Sequence, residues 1–344
     1  MISSGLFFAF FDAMSQLLKP QSLKTKPEKV RVEPFLAFGN KETVFVKGRV
    51  ISSYRERRPS SRNSWIRNII ASIRRYSVFS VANAKVEIML HEKTFEVETD
   101  EDGVFEKQIE VRNPNPGVVE QVNFKVKSPA TKNKSVWVAK GVSRFNQKTG
   151  VISDIDDTVL ISHSTELGKK FWLSISKNAY TRRPLPGVSK FYRALTHNGE
   201  NPIFYVSSSD WSLYDLIRDF MRFRNIPLGP TLLKDKHINI KNIWKSGGGS
   251  HQHKLEKVQR IFDLYPNMKF FLIGDSGQHD PELYAEIIKS NPDRILAVFI
   301  RLVGSLEPER KANLEKIIGL NNFFFIESSD EALELASNHK FLEQ

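Results

Sequence analysis

An α/β domain built on a parallel sheet and preceded by a β-sandwich is the fold that this chain of 344 residues predicts. Three observations carry that expectation. Residues 35–145 hold a series of short runs in which apolar and polar residues alternate at period two. From Val151 onward, short apolar runs alternate instead with stretches at helical spacing, the pattern of a parallel sheet covered on both faces. Two of the later runs end in bursts of carboxylates. Asp154-Ile155-Asp156-Asp157-Thr158 follows Val151-Ile152, and Gly274-Asp275-Ser276-Gly277-Gln278-His279-Asp280 follows the apolar run 270–273. In open α/β sheets, ligands gather at the carboxyl ends of strands.

The elements follow in order. Residues 1–25 predict an amphipathic helix, with Leu6, Phe7, Phe10, Phe11, Met14, Leu17 and Leu18 at helical spacing and Asp12, Ser15 and Gln16 on the other face. It has neither a basic n-region nor a small-residue cleavage site, so a secretory signal is not expected. Docking on the protein's own surface and anchoring at a membrane interface both fit. Residues 26–147 predict the β-sandwich. Runs 43–50, 84–90, 94–99 and 104–111 alternate at period two, Asp100-Glu101-Asp102-Gly103 makes a hairpin turn, and 122–126 and 135–142 supply two more strands.

Within that region, residues 55–75 form a basic insert, where Arg55, Arg57, Arg58, Arg62, Arg67, Arg74 and Arg75 face only Glu56. Ser64 would cap a short helix carrying Trp65, Ile66, Ile69, Ile70 and Ile73 as an apolar stripe. The pattern suits a membrane surface, and equally a helix packed across the end of the sandwich with its basic face in water. Residues 148–344 complete the chain as the α/β domain. Strands are expected at 151–155, 202–206, 269–273, 294–300 and 322–326, and helices at 254–264, 281–290 and 330–338.

Composition narrows the possible functions. With no cysteine, disulfides, thiolate zinc sites and cysteine nucleophiles are excluded, and a reducing cytoplasm suits the chain. No run approaches 18 consecutive apolar residues, so nothing is expected to span a bilayer as a helix. The net charge of +12 is unevenly spread: residues 1–150 hold 26 Lys and Arg against 15 Asp and Glu, whereas residues 151–344 hold 25 against 24. Any anionic surface would therefore be met by the first half, which makes peripheral membrane attachment of a cytoplasmic protein the expectation.

Four or five carboxylates converging on one crevice demand a cation, because buried negative charge is otherwise strongly disfavoured. Hard oxygen ligands at this density suit Mg²⁺. The motifs also come in a telling order. Asp154-x-Asp156-x-Thr158 ends one strand, Ser207-Ser208-Ser209 follows the apolar run 203–206, Lys254 stands at the start of an expected helix, and Gly274-Asp275 to Asp280 ends a third strand. This series resembles the haloacid-dehalogenase (HAD) phosphohydrolase superfamily. Over residues 150–330 it is similar, more specifically, to the actin-patch-associated phosphatidate phosphatase family, through residues 151–158, Ala179-Tyr180-Thr181-Arg182 with Pro186-Gly187, Val206 to Ser209 with Trp211 and Tyr214, His253-Lys254, and residues 272–284.

The resemblance implies an HAD-like Rossmannoid sheet and phosphoryl transfer, a chemistry that needs an in-line nucleophile, charge neutralisation and a proton for the leaving oxygen. Asp154 is expected to attack phosphorus and form an aspartyl phosphate. Asp156 would act as general acid and then as base. Asp275 and Asp280, with Asp154 and the backbone carbonyl of Asp156, would hold the metal. Ser207, Lys254 and Thr158 would hold the phosphate. Asp157 reads as a helper ligand or a turn residue. His251 and His253, without a third soft ligand nearby, read as surface loop, and Gly247 to Gly249 as a linker. Arg182 and Arg301 would serve either the phosphate or structural pairing.

Substrate class follows from what is absent. Only 42 residues separate Val159 from Pro202 and 46 separate Ser207 from Lys254. Neither gap holds a cap domain with its own core, so little or no cap is expected. An exposed site suits a headgroup on a large body. Phosphatidate at an anionic phospholipid membrane is the leading expectation, with diacylglycerol and phosphate as products. Polynucleotide or phosphoprotein phosphatase is the enzymatic alternative, since a basic domain also suits nucleic acid, although no aromatic-basic single-strand pattern is seen. A phospho-acceptor receiver or a lipid-binding module without catalysis are the non-enzymatic alternatives. Against the receiver stands Asp156, because a stable phospho-aspartate needs no acid–base partner.

Overall fold

The computed structural model describes residues 30–52, 79–112, 119–129, 135–155, 158–159, 185–211, 214–234, 249–304, 308–317 and 322–343. The expected helix within 1–25, the insert 55–75, Asp156, Asp157, Arg182, Gly247, Gly248 and the side chain of His251 lie outside them. So do residues 160–184 of the first gap considered for a cap, and residues 212, 213 and 235–248 of the second. The chain divides into two compact units, Met1–Ala37 with Phe45–Val142, and Phe38–Val44 with Ser143–Gln344. No helix among the described residues is long and apolar enough to cross a membrane.

The first unit is antiparallel. Its strands are β1 (Val30–Gly39), β2 (Thr43–Ser52), β3 (Phe79–Ser80), β4 (Lys85–Leu90), β5 (Lys93–Glu98), β6 (Val104–Glu110), β7 (Gln121–Ser128) and β8 (Val138–Gly141), with β1 and β2 running on into residues of the second unit. One sheet sets β2 against β1, β3 and β6, and a second has the order β5-β4-β7-β8. Period-two alternation does the work foreseen: Val86, Ile88 and Leu90 of β4 and Val122 and Phe124 of β7 are fully buried, while the residues between them are not. Phe105 of β6 meets Phe124 of β7 with ring centroids 5.7 Å apart. The expected hairpin turn is present. Asp100 Oδ1 accepts from the amides of Asp102 and Val104, and Gly103 takes the positive φ of 70° that closes the turn. Strand β1 was not expected. Its run Phe35-Leu36-Ala37-Phe38 is buried throughout, so it carries no alternation, and Pro34, a residue uncommon within strands, lies inside it.

In the second unit a two-residue strand β9 (Ser143–Arg144) pairs in parallel with Phe38 and Gly39. Then come β10 (Thr149–Ser153), α1 (Val188–Leu195), β11 (Ile203–Asp210), α2 (Tyr214–Phe223), β12 (Thr231–Lys234), α3 (Gly249–Leu264), β13 (Lys269–Asp275), α4 (Asp280–Ser290), β14 (Ile295–Arg301), α5 (Pro308–Ile317), β15 (Phe323–Ile326) and α6 (Ser329–Asn338). The six strands β10 to β15 form one parallel sheet of order β12-β11-β10-β13-β14-β15. Burial on both faces explains their unbroken apolar runs, since every residue of β10 and all but Lys269 of β13 are buried.

The chain winds outward from β10 through β11 to β12. It then returns to the other side of β10 and continues through β13, β14 and β15. The reversal falls between β10 and β13, and it is at the carboxyl ends of such strands that open α/β sheets form their binding crevice. Strand β12 was not expected, whereas α1, α2 and α5 fall between strands, where the alternating pattern calls for helices although no bounds were assigned to them. The helix expected at 254–264 starts at Gly249, which puts Lys254 in its second turn.

Aromatic packing secures the sheet. Phe299 of β14 has ring centroids 5.3 Å from Phe191, 5.5 Å from Phe324 and 6.5 Å from Phe341. Phe299→Ala is expected to lower stability by about 3–5 kcal/mol in urea unfolding. Phe223→Ala, at a ring 52% exposed, is expected to change it by no more than about 0.5 kcal/mol. Similar losses for both would contradict this packing.

Candidate active site

Asp154 follows the last residue of β10, and Asp275 is the last residue of β13. The register Ser153↔Ile273 sets them side by side across the reversal point, and the Asp154 amide donates to the Ile273 carbonyl at 2.9 Å. Asp280 opens α4, where the helix N-terminus favours a carboxylate. One carboxylate oxygen from each of Asp154, Asp275 and Asp280 lies within 4.8 Å of the others, and all three residues are at most 1% exposed.

Glycine at 274 permits this convergence. A Cβ there would stand 2.7 Å from Asp280 Oδ2 and 2.9 Å from Tyr284 Cε2. With that space open, Asp280 Oδ2 accepts from the Asp275 amide at 3.3 Å. Asp275 Oδ1 in turn accepts from the amides of Gly277 and Gln278 at 2.8 and 3.1 Å, which folds residues 275–280 into a tight acidic turn.

Lys254 reaches this cluster from α3. Its Nζ lies 2.9 Å from Asp154 Oδ1 and 2.5 Å from Asp280 Oδ1, and it donates to Gln278 Oε1 at 3.4 Å. Burial disfavours the ammonium, but the charges of Asp154 and Asp280 outweigh it and hold its pKa above the ordinary lysine value of 10.5. These four side chains thus bring three negative charges and one positive into a buried space. The donor set of three carboxylate oxygens at this spacing fits a small hard cation.

Beneath Asp154 runs a buried hydrogen-bond chain that the sequence did not suggest. Tyr192 OH and Ser153 Oγ are 2.6 Å apart, and Ser153 Oγ donates to the Asp154 carbonyl at 2.7 Å, so the tyrosine hydroxyl is left to donate to the serine. Burial raises the Tyr192 pKa, and the Asp154 charge raises it further against the Ser153 hydrogen bond. Tyr284 OH likewise donates to the Ile273 carbonyl at 2.9 Å.

The remaining expected residues are placed as follows. Ser207, fully buried, lies near the carboxyl end of β11 beside β10, and its Oγ accepts from the Ser209 amide at 2.9 Å. Thr158 is 4% exposed, and its Oγ1 finds no hydrogen-bond partner among the described residues. Arg301 pairs in register with Asp275 at the end of β14. Sequence reasoning also missed Lys257, one helical turn after Lys254, whose Nζ donates to the Leu233 carbonyl and lies 5.6 Å from the Trp211 ring centroid. The i, i+3 spacing from Lys254 was the available signal. It missed Arg310 too, which no local pattern marks.

A parallel α/β sheet with a buried carboxylate cluster at its reversal point defines the class of the second unit. Residues 149–302 match the family model described as the catalytic domain of phosphatidate phosphatase APP1, so the resemblance read from the motifs holds over this stretch. Phosphatidate phosphatase APP1 of Saccharomyces cerevisiae is 29% identical over 174 residues, which are 50% of this chain and 29% of that protein. An uncharacterised protein of Schizosaccharomyces pombe is 31% identical over 157 residues, 45% of this chain and 25% of its own length. The chain therefore spans under a third of either relative. Among solved structures, a haloacid dehalogenase-like hydrolase of Burkholderia xenovorans superposes with a TM-score of 0.37 at 11% identity, covering 57% of this chain and 99% of that one, a likeness too distant to carry weight.

The lysine gives a test of the cluster. Lys254→Met leaves buried carboxylates without their ammonium and is expected to cost about 3–5 kcal/mol in denaturant unfolding. A group whose folded-state pKa is raised contributes its full stability below the unfolded value, here 10.5, and loses it only as pH rises through the folded value. The difference between wild type and variant should therefore stay level from about pH 6 to about pH 9 as far as Lys254 is concerned. A difference that vanishes within that range would contradict the placement of the ammonium.

Proposed function

We propose that residues 148–344 form an HAD-like phosphomonoesterase that uses Mg²⁺ to hydrolyse phosphatidate to diacylglycerol and phosphate. The observation that carries this reading is the convergence of Asp154, Asp275, Asp280 and Lys254 at the sheet reversal, inside the segment that matches the APP1 catalytic domain. Asp154 Oδ attacks phosphorus, the phosphorus–oxygen ester bond breaks, and the departing glycerol oxygen takes a proton from Asp156. Asp156 then takes a proton from water as the water oxygen attacks phosphorus. The bond to Asp154 breaks and phosphate leaves. Ser207, Thr158 and Lys254 hold the phosphoryl oxygens. Thr158 Oγ1, without a hydrogen-bond partner among the described residues, supports a donor role toward substrate.

Asp154, Asp275, Asp280 and the backbone carbonyl of Asp156 would hold Mg²⁺, which supplies charge neutralisation to the transferring group when bound. The hydrogen bonds from Tyr192 through Ser153 to the Asp154 carbonyl fix the nucleophile from below, so that its carboxylate faces substrate with little freedom to lose. The sheets of the first unit are read as a β-sandwich, in which Phe105 and Phe124 pack between the two layers. Its side of the sequence carries nearly all the excess positive charge, which supports peripheral attachment to an anionic phospholipid membrane.

Phosphate release from phosphatidate in mixed micelles, with Mg²⁺ and after chelation, tests the reading. Wild type should release phosphate only with the cation present. Asp154→Asn should fall to background, and Asp156→Asn should lose about 100-fold or more. Equal rates for wild type and Asp154→Asn would remove the nucleophile. Release from a 3′-phosphorylated oligonucleotide or a phosphoprotein, but not from phosphatidate, would replace the lipid substrate and keep the chemistry.

A further inference from the structure

The acidic turn 275–280 is held from two sides. On its inner side Asp275 Oδ1 gathers the amides of Gly277 and Gln278. On its outer side the guanidinium of Arg310, from α5, donates to the Ser276 carbonyl at 2.7 Å and the Gln278 carbonyl at 2.5 Å. The same guanidinium forks onto Glu282, with Nε 2.8 Å from Oε1 and Nη2 3.1 Å from Oε2. Four hydrogen bonds from one planar cation thus span the turn and the first turn of α4. Arg310 lies eight residues past the last residue that matches the catalytic-domain family, Arg301 being followed by Leu302.

From this geometry we infer that Arg310 is a positioning residue: by clamping two carbonyls of the turn it sets the separation of Asp275 and Asp280, whose carboxylates converge on Asp154. The inference rests on the reading of that cluster as the reacting centre. The Arg310–Glu282 ion pair is not what matters most, because these side chains are 28% and 36% exposed and such pairs contribute little. The carbonyl contacts matter because they are geometric. A rigid guanidinium fork fixes two acceptors relative to each other, whereas a lysine ammonium, a single point charge on a flexible stem, cannot hold both in the same way. Supporting contacts behind metal-binding carboxylates commonly govern affinity or rate by about 10–100-fold.

The test compares Arg310→Gln, Arg310→Lys and Glu282→Gln in the full chain by two measurements, amide hydrogen–deuterium exchange and phosphate release from phosphatidate with Mg²⁺. Arg310→Gln should exchange the amides of residues 275–280 about 10-fold faster while β10 and β13 keep their protection. Its kcat should fall about 10–100-fold with KM nearly unchanged. Arg310→Lys should lie between it and wild type, and Glu282→Gln, which keeps both carbonyl contacts, should stay within about 2-fold of wild type.

Unchanged exchange in Arg310→Gln overturns the assignment whatever its activity. So does a Glu282→Gln variant as impaired as Arg310→Gln, which would make the ion pair the cause. If Arg310→Gln loses protection across the whole unit, Arg310→Lys decides: general loss there as well makes Arg310 an ordinary structural residue, and loss confined to 275–280 upholds its role. Faster exchange of the turn in a protein whose wild type releases no phosphate keeps the clamp and removes the phosphatase reading.

Discussion

The ammonium of Lys254, shared between Asp154 and Asp280 at 2.9 and 2.5 Å, is the interaction on which the arrangement of the second unit turns. Each buried carboxylate costs several kcal/mol of lost hydration, and only close, well-aligned partners offset that. The fold supplies them from separate elements. Strand β10 leads into Asp154, β13 ends in Asp275, α4 begins with Asp280, and α3 carries the lysine across them. For the lysine to arrive, α3 must lie firmly on the unit's core, and Val258, Ile261 and Phe262, all at most 2% exposed, hold it there. Core packing and site geometry are thus one problem, because a shift of α3 would strand buried charge.

Backbone geometry does the rest. From the reversal point the chain leaves β10 toward β11 on one side and β13 toward β14 on the other, and in open α/β sheets the segments that part in this way are free to turn into a crevice. That freedom would be a liability without restraint. Below Asp154 the restraint is the Tyr192–Ser153 chain, and below Asp275 it is the hydroxyl of Tyr284 on the Ile273 carbonyl. Burial keeps both tyrosines neutral, so they act as donors of fixed orientation. Gly274 contributes by having no side chain, and Asp280 occupies the space a Cβ would take.

Where a residue's role is set by its neighbours in sequence, the sequence was a good guide. Alternation located β2, β4 to β7 and the turn at Gly103, and apolar runs closing on carboxylates located β10 and β13. The same reasoning failed where burial erased the pattern, as in β1 with its unbroken Phe35 to Phe38, or where an element is too short to show one, as in the four residues of β12. Asp154, Asp275, Asp280 and Lys254 could be named because each sits in a dense local motif, and the structure brings those four together. Tyr192 could not, since its hydroxyl meets Ser153 across 39 positions of sequence, nor could Arg310, whose acceptors lie 28 to 34 positions away. Contacts of that range depend on how helices pack, which periodicity does not encode.

Charge distribution constrains how such a site can attract an anion. The half that carries the carboxylates is nearly neutral, 25 Lys and Arg against 24 Asp and Glu, and offers no long-range pull on a phosphomonoester. Lys254 is already committed to two carboxylates, so the positive potential it presents to an incoming phosphate is reduced by their negative charge. Three buried carboxylates would by themselves repel a dianion. A divalent cation held among them would, together with Lys254, offset that negative charge, so binding of the substrate and stabilisation of its transition state would depend on the same ion. On the reading proposed above, recruitment over longer distances would fall to the first half of the chain, with its 26 basic against 15 acidic residues. Under that reading, reaction and recruitment would rest on charges of opposite sign in different parts of one sequence, and adding charge of either kind to the other's half would weaken what that half does.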